Sequence, residues 1–471
     1  MGKAAYSMIE EEDRCLHHMN YVLSKLGVDI PHSSSREQTL KLISQTQSTL
    51  DGISDSTLLS YHTLSDYKKV MAMKFLAKLE HSIQQTNTSL QPLVTIKIIQ
   101  LTIEHGMSPM SAIGFAYFGG MLAELGDLRG GHRYSQLTKA LLEKYQCNEI
   151  AGEVFFLSTE LLSYIEPLQV TNEYRIQGQA AAMTAGDIHW ACMNKLMFTC
   201  TLLWQGANLS GVREAFTNAG YFAKEHDHRT SLYYMFTFQR SISTLIESLI
   251  ENQNPYQLVI FYFHKMFISL VFNNYDEMKH NAEKFLEFRM PSWFLLSGHA
   301  VHAFIGGLVS FRIFRETRDP LWAQRGVQFK ERIRTWKDQG SLWNFENKIF
   351  LLEAEEFFSN GNVEKAKVCY ENAVLSARAH KFVHEEALAN ELAGIFYLDI
   401  GNRPMAFKNF TDAHGAYFKW GACAKVATLF AYMQDTFWGV VPSTSAIVEE
   451  RSDVSQSSSL MTDTLKRRPS L

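Results

Sequence analysis

His380 and His384 in HKFVHEEALANE stand four apart, a spacing that could place both imidazoles on one helix face and within reach of a single metal ion. No third ligand stands nearby and no HExxH occurs, so these histidines are expected to be solvated or to cap a helix. His17-His18 and His226-Asp227-His228 carry the same expectation, the latter at a helix terminus. The glycines of GGMLAELGDLRGGH could cradle a phosphate, but no strand leads into them and no Gly-Lys-Ser/Thr completes a phosphate loop. Turn and close-packing glycines of a helix pair are expected there instead. A GxSxG elbow and a kinase HRD and DFG set are both missing. The acidic pairs Glu11-Glu12 and Glu355-Glu356 are expected on solvated helix faces. The cysteines, Cys15, Cys147, Cys192, Cys200, Cys369 and Cys423, form no CxxC pair and are expected to be free thiols in a reducing compartment. Near the C-terminus, Lys466-Arg467-Arg468-Pro469-Ser470-Leu471 has the form of a basophilic kinase acceptor, with Ser470 as phospho-acceptor. Phosphate there would partly cancel the basic cluster. These motifs therefore predict a non-enzyme with no catalytic residue, no cofactor and no metal site.

Bulk properties narrow the partners. Basic residues number 45 against 49 acidic ones, a net charge of −4, which gives no electrostatic reason to bind nucleic acid or an anionic membrane. The longest apolar run, Leu258 to Phe272, contains His264 and Lys265 and falls short of the ~20 apolar residues that a membrane span needs, so it is expected to be a buried helix. The start, MGKAAYSMIEEEDR, turns acidic before any apolar run and shows no secretory signal. A soluble, cytoplasmic protein is expected. Phe, Tyr, Trp and Met suit the irregular gaps between packed helices, at 13% aromatic residues and 18 Met.

The elements that would position these residues are helices. Apolar residues recur three and four apart, prolines number only 10, and Gly and Pro fall in short breaks that favour antiparallel neighbours. A repeat emerges in the C-terminal third. Gly361-Asn362, Ala366 and Ala373 recur 40 residues later as Gly401-Asn402, Ala406 and Ala413. The Gly ends one helix in a left-handed cap, and the two small residues let the second helix approach closely. Looser echoes carry Gly126 and Gly131, Gly206 and Gly211, and a turn at Asn273-Asn274. Stacked pairs of this kind bury one continuous core. The expected fold is all-α, a tetratricopeptide-like right-handed superhelix of antiparallel helix pairs. Its divisions are an N-terminal helical segment over 1–95, repeats over 96–437, and a disordered Ser/Thr-rich tail over 438–471.

Glu386-Ala387-Leu388-Ala389-Asn390-Glu391-Leu392-Ala393, then Phe396-Tyr397-Leu398, Ala413, Tyr417 and Trp420-Gly421-Ala422-Cys423-Ala424-Lys425-Val426, resemble the end of one long helical region. That region is the tetratricopeptide-like middle segment of hybrid sensor histidine kinases, which join a serine/threonine-kinase-like domain, an AAA ATPase, the helical array and a GAF domain. Glu104-His105-Gly106, Ser108-Pro109 and Ser111-Ala112, as well as Leu26-Gly27-Val28, are similar to the same segment, so the resemblance spans roughly residues 7 to 435. The family's catalytic residues have no matching positions here, and none is carried over. The resemblance implies a relay within a two-component signalling system, whose protein partner is a kinase or ATPase of the same family. Two functions are thus expected to compete. One is a non-catalytic protein-interaction or signal-relay scaffold, gripping a partner in a groove lined by the first helix of each pair. The other is a small-molecule sensor arm with a ligand in the concave surface. A closed, ligand-sized cavity lined by polar groups would support the second, and a flat, open groove would not.

Overall fold

A computed structural model of the chain describes residues 21–31, 34–86, 90–229, 231–232, 235, 238–239, 258–287 and 296–438. Among them the fold is all-helical, and the single extended pairing is a parallel bridge between Thr63 and Met107. The chain enters through α1 (Arg36–Asp51), α2 (Asp55–Ser60), α3 (Tyr67–Thr86) and α4 (Gln91–His105). Antiparallel pairs follow: α5 (Ser111–Glu124) with α6 (Leu128–Tyr145), α7 (Asn148–Leu162) with α8 (Thr171–Ala185), and α9 (Ile188–Trp204) with α10 (Leu209–Glu225). The later pairs are α11 (Leu258–Val271) with α12 (Tyr275–Glu287), α13 (Leu296–Thr317) with α14 (Pro320–Gln339), α15 (Leu342–Ser359) with α16 (Val363–Ala379), and α17 (Val383–Asp399) with α18 (Arg403–Trp420). A last helix, α19 (Cys423–Trp438), covers the end of the stack.

The turns explain why the chain keeps folding into pairs. Gly126, Gly361 and Gly401 all take positive φ, 98°, 74° and 78°, where a side chain would be strained. Each is followed by a residue that caps the next helix. Asp127 accepts from the Gly130 N–H at 2.8 Å, Asn362 from Lys365 at 3.2 Å, and Asn402 from Met405 at 3.2 Å. Such a cap contributes about 1 kcal/mol. Asn273 (φ 54°) and Asn274 form the same turn without glycine, because Asn tolerates the left-handed region. Past the turns, Ala366, Ala373, Ala406 and Ala413 are fully buried, and Gly131 lies so close to α5 that a Cβ would sit 2.8 Å from the Gly119 carbonyl.

Gly211 departs from its expected role. Gly206 makes the left-handed turn (φ 83°), but Ala207 lengthens the loop by one residue before Asn208 caps α10. The register shifts accordingly. Val212 and Ala219 become the fully buried positions, while Gly211 is exposed with open space around it. The division expected between residues 95 and 96 falls inside α4, whose Leu93, Val94, Ile98 and Ile99 belong to one core running from Leu23 to Val154. A second core begins at Ala123 and continues to Met433, so the two interleave at α5 to α7. The run from Leu258 is indeed a buried helix, and no helix among the described residues is long and apolar enough to cross a membrane. The expectations for Glu11-Glu12, Cys15, His17-His18, the Ser/Thr-rich tail and Ser470 lie outside the described residues.

Candidate functional site

The first helices of successive pairs stack side by side on the inner face of the array. In the C-terminal half, buried ion pairs tie each to the next. Arg315 on α13 reaches Glu355 on α15 at 2.8 Å, Lys348 on α15 reaches Glu385 on α17 at 2.8 Å, and Lys425 on α19 reaches Glu391 on α17 at 2.6 Å. Tyr370 and Tyr417 donate to Glu355 and Glu391 at 2.5 and 2.8 Å. Glu355 therefore departs from the expected solvated face: it is 1% exposed, because Arg315 and Tyr370 satisfy its carboxylate from two neighbouring helices. Glu356, one residue on, is partly buried and bonds Lys330 at 2.6 Å.

The inner face is not left as an open groove. The α7–α8 connection presses against the start of α15 and the turn before α17, and the α9–α10 turn against the start of α17 and the end of α18. Asn344 carries this seam: its amide nitrogen donates to the Ser163 and Glu166 carbonyls at 2.9 and 2.6 Å, and its oxygen accepts from the Leu168 N–H at 3.0 Å. Trp343 donates to Gln169 at 3.0 Å, Gln169 donates to the His380 carbonyl at 3.2 Å, and Asn208 donates to the Lys419 carbonyl at 3.1 Å. The approach is close enough that a Cβ on Gly206 would lie 2.6 Å from His384 Nδ1.

Behind the seam lies a cavity of about 70 Å³, or about 920 Å³ when the surrounding solvent space is counted. Its walls come from far apart in the chain: Tyr164, then Cys200, Thr201 and Trp204 of α9, Phe238, Phe263 and His264 of α11, Ala300 and His302 of α13, Asn344, Phe345 and Lys348 of α15, and Phe382 and Glu385. Most of the lining is aromatic or aliphatic, with a few convergent polar groups, which is the composition of a small-molecule site. Lys348 donates to Glu385 and to the Asn344 carbonyl, both at 2.8 Å, and lies 4.2 Å from the centre of the Phe382 ring. Asn347 adds a bond to the same Glu385 oxygen. Burial lowers the pKa of the Lys348 ammonium, against the pull of Glu385. Burial also pushes His264 down to about 3, His299 to about 4 and His302 well below its ordinary value, so the imidazoles around the cavity are neutral. The Cys200 thiol is pushed far up by burial, with Glu160 adding to the shift, which makes it a poor nucleophile.

His380 and His384 do not share a helix face. Positive φ at Lys381 breaks the chain between them, so His380 ends α16 while His384 opens α17. His384 is buried against Trp420, not solvated, and burial holds it at about 4. His226 caps the end of α10, and His228 bonds His189 at 3.0 Å. No group of three metal-ligating side chains occurs among the described residues. The glycines of GGMLAELGDLRGGH fall in the α5–α6 hairpin.

Sequence reasoning missed Asn344, Lys348, Glu385 and His264. One signal was available: Asn344, Asn347 and Lys348 interrupt the apolar face of LWNFENKIFLL at helical spacing. Their partners on α7–α8 and α17 left no local trace. No protein-family model matches the chain, and no curated protein matches it either.

Proposed function

We propose that this chain is a non-catalytic relay that holds a small molecule in its central cavity and passes the state of the seam to a protein partner. The observation that carries this reading is the cavity itself. The inner face, which in an open array would receive a peptide, is covered by the chain's own turns, and what remains is a mostly apolar chamber with a few polar groups. A guest there would touch Asn344, which holds the seam, and the Lys348–Glu385 pair, which joins α15 to α17. A guest that made these contacts only with the seam closed would supply the differential affinity that a ligand-driven shift requires.

The partner side of the relay is the far end of the stack. Phe418, Phe430, Tyr432 and Trp438 of α18 and α19 are exposed, large apolar side chains of the kind that a protein partner covers. The resemblance to the helical segment of hybrid kinases belongs to the same proposal, with a kinase or ATPase as the partner. Fragment screening by ligand-observed NMR tests the reading, comparing the wild-type chain with Ala300→Leu, which fills the cavity. Fragments that bind the first and not the second support it. A screen in which no fragment distinguishes the two chains would sink it.

A further inference from the structure

Two repeats show how a second helix covers a first. Ala366, Tyr370 and Ala373 of α16 and, 40 residues on, Ala406, Phe410 and Ala413 of α18 are all buried. The small residues let the helices approach and the ring between them fills the gap, so closely that a Cβ on Gly394 of α17 would stand 2.9 Å from the Phe410 ring. At the same step α19 takes the place of α17. Val383 and Cys423 open the two helices, and Lys381 and Gly421 precede them at positive φ, 64° and 85°. Lys425, Leu429 and Met433 bury one side of α19, but no second helix follows it among the described residues. Gly394, which Phe410 covers, has Gln434 as its counterpart. Asn390 and Leu398, one turn to either side, have Phe430 and Trp438, which are 47% and 55% exposed.

The flank of α18 continues this surface. Phe407 stands edge-on to Phe437 at 5.2 Å and to Trp438 at 5.6 Å, and His414 lies 6.0 Å from Phe430. Phe418, 70% exposed, follows His414 by one helical turn. Phe407, His414 and Phe418 thus share a face of α18 and form one wall of an aromatic trough, with Phe430, Phe437 and Trp438 of α19 as the other. The residues that follow α19 in the sequence are a poor cover. At the next 40-residue step Ala446 keeps the small position, but Glu450 and Asp453 stand where Phe410 and Ala413 stand in α18. Two carboxylates would be taken out of water against the rings, an unfavourable transfer.

We propose that the trough between α18 and α19 takes an amphipathic helix of another protein, one that carries the small–aromatic–small spacing of α16 and α18 and completes the pair that α19 begins. Its apolar stripe lies along Phe430, Gln434 and Trp438, as Phe410 of α18 lies on Gly394. This inference rests on the reading of the far end as the partner side of the relay and names what the partner brings.

The experiment is a fluorescence-anisotropy titration in which the full chain is added to a labelled peptide with the sequence of α18, Arg403–Trp420. The peptide offers the required spacing in trans and should bind. A peptide with Ala406→Gln and Ala413→Gln should bind about ten-fold more weakly, because Gln keeps the helix propensity and blocks the close approach. In the chain, Phe430→Gln with Trp438→Gln should abolish binding, whereas Tyr221→Gln, on the exposed face of α10, should leave it unchanged. No binding of the parent peptide, equal binding of the two peptides, or binding that survives the double variant would each overturn the proposal. Sedimentation that shows the chain paired with itself, and unpaired in the double variant, would overturn it too, since a second copy would then cover the trough. None of these outcomes touches the cavity, so the fragment screen with Ala300→Leu stands or falls separately. Should the double variant not fold, the two peptides on the wild-type chain still uphold or overturn the proposal.

Discussion

The two halves of the array join their inner helices by different chemistry. In the N-terminal half the links are neutral or nearly so: Tyr117 of α5 donates to Glu153 of α7 at 2.8 Å, and Asn194 of α9 donates to the Gly152 carbonyl at 2.9 Å. In the C-terminal half the links are the ion pairs Arg315–Glu355, Lys348–Glu385 and Lys425–Glu391. A buried ion pair adds little net stability over an apolar contact, because desolvating both charges offsets their attraction. It does punish every arrangement in which one partner is left alone. The contrast teaches that in the C-terminal half buried charge fixes the register between successive first helices, whereas in the N-terminal half the buried ion pair, Arg175–Glu160, joins the two helices of one hairpin.

The largest effect that can break this comparison comes from removing one partner of each kind of link. Lys425→Met leaves the Glu391 carboxylate buried with Tyr417 as its remaining donor and should cost about 3–5 kcal/mol. Asn194→Leu leaves the Gly152 carbonyl with its helical partner within α7 and removes one net hydrogen bond, and should cost about 0.5–1.5 kcal/mol. Calorimetric melting of both variants checks the order, and equal losses would erase the distinction between the halves.

Next in size is a difference in pH response. Burial raises the Glu153 carboxyl to about 7, above its ordinary value of 4.5. The folded chain there binds a proton that the unfolded chain has released, so this contribution is full below 4.5 and is lost as pH rises through about 7. The histidines near the cavity and seam act in the opposite sense. His264 at about 3, and His299 and His384 at about 4, refuse protons that the unfolded chain takes up below 6.5. Stability from this region therefore falls as pH drops from 6.5 toward 4 and is flat above 6.5. Hydrogen exchange, corrected for the intrinsic effect of pH, should show α5 and α7 loosening toward pH 8 and α11, α13 and α17 loosening toward pH 5. Parallel loosening of both regions at one extreme would contradict the assignment.

The smallest effect sharpens the packing rule within the hairpins. Gly211→Ala, in open space on an exposed helix face, should stabilise the chain by up to about 1 kcal/mol through helix propensity. Gly131→Ala would place a Cβ 2.8 Å from the Gly119 carbonyl and should destabilise it. Opposite shifts in melting temperature are expected from the same chemical change, five residues after the turn glycine in each hairpin.

What the sequence determined by itself was everything carried by neighbours along the chain. The turns at Gly126, Gly361, Gly401 and Asn273-Asn274, the small residues at Ala366 and Ala406, and the helical character of the chain were legible, because backbone conformation and face periodicity are local. Even here a one-residue change in loop length defeated the spacing rule at Gly211. Only the tertiary structure decided that Glu355 is buried, that His380 and His384 part at a turn, and that Asn344 reaches the carbonyls of Ser163 and Glu166. Each depends on how small rotations between successive pairs accumulate until distant turns meet. No short window of residues encodes that sum, so the closed inner face and its cavity belong to the packed array alone.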